Sequence, residues 1–120
     1  MGWTVIAKGQ IDFPIGIPER IVKQVYRLME KSKIGEDGEV FYNLSKYFTK
    51  KHGGQIAFEM SGNKGINYKP IDEIKSFILK KMEGENKIGL IININEFSEG
   101  DNGFYFEYEE AKIESISRSS

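Results

Sequence analysis

Five carboxylates stand close together near the end of the chain: Glu99, Asp101, Glu107, Glu109 and Glu110, within the stretch EFSEGDNGFYFEYEE that runs from Glu96 to Glu110. Carboxylates so grouped could serve a hydrolase as acid and base, or hold a divalent cation. Their spacing argues against both. On a strand, Glu107 and Glu109 project from one side about 7 Å apart, too far for one ion to bridge comfortably. EGDNG also lacks the ligand spacing of a calcium-binding EF-hand loop. An ordinary surface hairpin is expected there, with no metal site and no cofactor. The single histidine, His52, follows two lysines and precedes two glycines; a histidine so placed stabilises terminal helix carbonyls and needs no catalytic partner. With no cysteine at all, disulfides, thiol nucleophiles and Cys-based metal sites are excluded.

The cations suggest a second chemistry. Lys46, Lys50, Lys51 and Lys64 lie within twenty residues, with Tyr42, Tyr47 and Tyr68 near enough in sequence to offer rings for base stacking. Gly62-Asn63-Lys64-Gly65 resembles the GxxG loop of KH domains, which would imply that it clamps a nucleic-acid backbone, with Lys64 as the cation. The resemblance covers four residues. KH loops have a helix directly on both sides, whereas the strand-like AFEM precedes this one and INYKP follows it, so a β-turn is the preferred reading. No Walker phosphate loop is present, since no GK[ST] follows at the required spacing.

Aromatic residues supply the third possibility. In FYFEYEE, strand alternation puts Phe104, Phe106 and Tyr108 on one face and Tyr105, Glu107 and Glu109 on the other. The first set is expected to cover helices. The second, with Asn93, Asn95 and Phe97 contributed by a neighbouring strand, is a candidate contact face in which rings give rigid area and charges give steering.

Elements must position these groups. From Trp3 to Phe13 small and apolar residues alternate with polar ones, Ile6 excepted, which predicts a half-buried strand. Pro18 opens a helix that runs to about Lys31, with Ile21, Val22, Val25, Leu28 and Met29 as its apolar stripe. A second helix is expected from about Val40 to His52, carrying Phe41, Leu44, Tyr47 and Phe48 on one side, Lys46 and Lys50 sharing another, and Gly53-Gly54 as its stop. Gln55 to Met60 alternates as a strand, 66–69 offers a short return strand, and Ile71 to Met82 reads as a third helix. The isoleucine-rich run 87–97 predicts a central strand covered on both faces. A terminal strand follows over 104–110, extended past a bulge by Ile113 and Ile116, with 117–120 frayed.

The fold class expected is therefore α+β. One domain spans 1–120, with a mostly antiparallel sheet of four or five strands and two or three helices on one face, in the order β-α-α-β-α-β-β. A chain of 120 residues with 39% hydrophobic content can bury one core. Its formal charge of −1 is unevenly placed: residues 1–89 carry 15 basic and 11 acidic side chains, residues 90–120 carry 2 and 7. The first residues lack a signal-peptide pattern and no apolar run is long enough to span a bilayer, so a cytoplasmic protein is expected.

Without a catalytic constellation, binding is favoured over catalysis. The expectation is a small stoichiometric inhibitor, of the toxin-immunity or phage anti-defence (anti-CRISPR) kind. Its acidic aromatic sheet face would use Tyr105, Glu107, Glu109, Asn93 and Asn95 to engage a protein partner, such as a nucleic-acid-binding protein or a toxin. The alternative is a nucleic-acid-binding module using Lys46, Lys50, Lys51 and Lys64, and an enzyme ranks third. No membrane contact is expected, and the chain should be a monomer or homodimer.

Overall fold

The computed structural model describes residues 4–32, 40–49, 51, 53–63, 65–84, 89–99 and 108–116, with 98–99 and 108–116 described by their backbone. The elements are β1 (Thr4–Asp12), α1 (Glu19–Lys31), β2 (Tyr42–Thr49), β3 (Gly53–Asn63), α2 (Lys69–Lys81), β4 (Leu90–Glu99) and β5 (Tyr108–Ile116). The protein is α+β, with one antiparallel sheet and two helices. Four strands stand in the order β2-β3-β1-β4, and β5 pairs along the far side of β4. The first six elements thus interleave two βαβ units around a central antiparallel pair, the split βαβ connectivity of ferredoxin-like folds.

Alternation in β1 and β3 sorts residues between two faces. Ala7, Ile11, Ile56, Phe58 and Met60 turn toward the helices and are buried, as are Leu90, Ile92 and Ile94 of β4. Onto them pack Ile21, Val22, Val25 and Met29 of α1, with Ile71, Ile74 and Ile78 of α2. Helix α1 begins after Pro18, whose carbonyl accepts the Ile21 N–H at 3.0 Å, and Glu19 and Lys31 match the helix dipole at its two ends. Asn67 starts α2 by accepting the Lys69 N–H on its side-chain oxygen at 3.0 Å, and Pro70 occupies the first turn, where a missing N–H costs nothing.

The expected element order needs one correction in kind. Residues 42–49 form strand β2, not a helix, so the order is β-α-β-β-α-β-β. A register shift between Tyr42 and Ser45, with Asn43 at φ 50°, marks a bulge. It spaces the inward residues Phe41, Leu44 and Phe48 three and four apart, which imitates a helical stripe. Gly53 and Gly54 open β3 rather than stop a helix. The return strand expected over 66–69 is absent: 66–68 are irregular, and Lys69 already belongs to α2. β4 is not enclosed on both sides, since Ile91, Asn93, Asn95 and Phe97 are half-buried on the face without helices.

Candidate protein-binding face

Both helices cover one side of the sheet, and the other side carries neither. Its side chains fall into rows because directly opposed residues share a face. One row runs Tyr42, Glu59, Lys8, Asn95 across β2, β3, β1 and β4; a second runs Ser45, Ala57, Gln10, Asn93; a third runs Tyr47, Gln55, Asp12, Ile91. Toward the end of the sheet that holds Thr4, Ile6 lies opposite Phe97, and the Lys8 ammonium sits 5.7 Å from the Phe97 ring centroid. Four amides, Gln10, Gln55, Asn93 and Asn95, thus stand on the face from β1, β3 and β4, with rings on β2 and at Phe97.

The Gln10 amide donates to the Asp12 carboxylate at 2.7 Å, and the Asn43 amide donates to Glu59 at 3.0 Å, tying the bulge of β2 to the face. Lys8 stands opposite Glu59. The charged side chains described on this face are Lys8, Asp12 and Glu59. Among the described residues, Tyr47, 57% exposed, is one of two large apolar residues so open to water.

Of the contact residues expected from sequence, Asn93 and Asn95 are here. Tyr105 and Glu107 lie outside the described residues, as do Phe104 and Phe106. Position 109 stands opposite Glu96, while Glu110 stands opposite Asn95 and Lys112 opposite Asn93. Position 109 is therefore one residue out of step with Asn93 and Asn95, as the continuous pairing of 108–112 with 93–97 sets it. Tyr108 is opposite Phe97. Sequence reasoning missed Gln10, Tyr42 and Tyr47 as members of the face. The alternation of β1 did mark Gln10 as outward, but only the pairing of β1 with β4 brings it beside Asn93.

Of the four candidate lysines, the described residues include Lys46 and Lys51. Lys50 and Lys64 lie outside the described residues, as does His52. Lys46 sits on a strand, on the helix side of the sheet, its ammonium 4.0 Å from the Tyr26 ring centroid; that ring's hydroxyl donates to the Leu44 carbonyl at 3.3 Å. Lys51 is exposed in the turn that leads into β3. Between the C-terminal end of α1 and the start of α2, Leu28, Ser32, Asn67, Lys69, Pro70 and Glu73 help line a cavity of about 480 Å³. Among the described residues no three His, Asp or Glu side chains come together as a metal site, and no helix is long and apolar enough to cross a membrane.

Comparison with protein-family models, with curated proteins and with solved structures found no match to this chain.

Proposed function

We propose that this chain is a protein-binding domain that seats its helix-free sheet face on one partner, as a stoichiometric inhibitor of the toxin-immunity or phage anti-defence (anti-CRISPR) kind. The observation that carries this reading is the set of four amides, Gln10, Gln55, Asn93 and Asn95, held across three strands on a sheet side that neither helix covers. Amides both donate and accept, and on a rigid sheet they lose little entropy when they bind, so they suit the mixed polar surface of another protein. Five strands about 4.8 Å apart and some nine residues long make a face of roughly 700 Å², close to the ~800 Å² per partner of a standard interface.

RNA is a weaker match to this face. Sheets that bind RNA stack bases on aromatic side chains, but the middle strands here present Lys8, Gln10, Ala57 and Glu59, and Phe58 of β3 is turned into the core.

Placing arginine at Asn93 and Gln55 tests the proposal. Each enlarges a residue on the helix-free face, so thermal stability should stay near that of the parent. Captured from its source cell, the parent should carry one protein in a 1:1 complex, and the double variant should bind that protein at least tenfold more weakly, since two unmatched charges would be desolvated in the interface. Unchanged affinity in a folded double variant removes the face. Titration against the partner's activity separates inhibition from mere binding: full loss at one equivalent supports an inhibitor, and full activity at saturation refutes that part.

A further inference from the structure

The two layers of the fold carry opposite charge. On the two 13-residue helices lie eight of the chain's 17 basic residues against four acidic ones, while the five strands hold three basic and seven acidic residues. The imbalance read along the chain, basic early and acidic late, is thus a separation between layers. On α1, Lys23, Arg27 and Lys31 are exposed, and their spacing of four keeps them on one stripe of the helix. On α2, Lys69, Lys80 and Lys81 are exposed. Leu28 and Ser32 share a cavity with Asn67 and Lys69, so the C-terminal end of α1 meets the start of α2. Lys69 lines this cavity, and Lys31 directly precedes Ser32 at its edge.

We propose that this helical layer is a second binding surface, opposite the amide-rich sheet face, and that it takes the phosphate backbone of a duplex nucleic acid without regard to base sequence. Charge complementarity selects that occupant. A 13-residue helix extends about 20 Å and carries Lys23, Arg27 and Lys31 about 6 Å apart along its axis, against phosphates that follow every ~3.4 Å along each strand of a duplex, while aromatic rings for stacking single-stranded bases are missing from the exposed stripes: Tyr26 lies under Lys46 and Phe77 under Lys81. An anionic membrane would call for apolar groups that reach past the cations. Among the described residues, the exposed large apolar ones, Ile15 and Tyr47, belong to neither helix.

The test is fluorescence anisotropy with a labelled duplex of about 20 base pairs. If about four phosphates are neutralised, affinity should fall by about 10²–10³-fold between about 50 and about 200 mM salt, because log K drops with log salt at about 0.9 per contact. The variant Arg27→Glu, Lys31→Glu, Lys69→Glu should bind at least 30-fold more weakly at the lower salt while melting at the parent temperature. Its capture of the protein partner should be unchanged, which separates this surface from the sheet face. Absence of duplex binding at the lower salt overturns the inference. So does binding that survives in the triple variant but is lost in Lys46→Glu, Lys51→Glu, which would move the contact to β2 and its turn. Retention by phosphatidylserine vesicles in place of the duplex overturns it as well.

Discussion

Phe58→Ala should lower the stability of the fold by about 3–5 kcal/mol, the range for removing a buried phenyl ring. Phe58 is 2% exposed, and its ring meets that of Phe41 edge-on, with centroids 5.3 Å apart and planes at 82°. It also lies flat against the neighbouring strand, where its register partner is Gly9. The ring occupies the space that a side chain on Gly9 would need, so the two positions are a single packing unit, one empty because the other is full. The loss is large beside a total stability of roughly 5–15 kcal/mol, and it should appear in urea titrations as a lower midpoint at unchanged slope. Gly9→Ala should also destabilise the parent, but it should cost less in the Phe58→Ala background, where the cavity can take the methyl group. Additive effects in that double-mutant cycle would show that the ring does not rest on Gly9.

Gly53→Ala should cost about 2–4 kcal/mol, combining roughly 1–2 kcal/mol for left-handed backbone at a residue with a side chain with a clash that has no outlet. At φ 75° the new methyl carbon would lie 2.6 Å from the Phe13 carbonyl oxygen and 2.8 Å from that of Pro14. Both are main-chain atoms. The Phe13 N–H donates to the Gly54 carbonyl at 2.8 Å, so the end of β1 cannot withdraw without breaking the bond that ties it to β3. Gly16 provides the internal control. Its φ is 91°, but nothing stands within 4 Å of its missing side chain, so Gly16→Ala should cost only the backbone part. Equal losses at the two glycines, measured by thermal or urea unfolding, would contradict the crowding at Gly53.

These two sites also show which parts of the structure were legible in the sequence. β1, α1, β3 and α2 were each marked by a period, two for the strands with Ile6 the exception and near 3.6 for the helices, because each buries one regular side, and β4 was marked by its run of isoleucines. β2 was not. Its bulge at Asn43 breaks the alternation, and what remains, Phe41, Leu44 and Phe48, has helical spacing; Gly53, a left-handed glycine just beyond, fits a helix stop as well as a hairpin. Local pattern cannot separate the two, and the pairing of β2 with β3 decides. The candidate face divides the same way. Asn93 and Asn95 were read as outward from β4 alone, but their neighbours are Gln10 and Lys8, more than eighty residues earlier, and register across a sheet is a long-range property that periodicity does not encode. The one-residue shift between Ile92 and Asn93, which falls between Lys112 and Glu114 on β5, did have a local mark, since the sequence places a bulge before Ile113.

The position of β1 at the centre of the sheet affects how the molecule is made. Its partners are β3, which ends at Asn63, and β4, which ends at Glu99, so the strand of this sheet that is made before the others is among the last to be enclosed. At about 5–20 residues per second, roughly 5–20 s pass between the emergence of Thr4 and that of Glu99. During that interval the run Val5, Ala7, Ile11 has no finished sheet to join, and the non-local closure it awaits is the slow kind, because loop entropy is spent before any contact repays it. Folding is thereby tied to the completion of β4. A chain released before residue 99 would leave its most buried strand open along one edge, exposed to other chains in the same state.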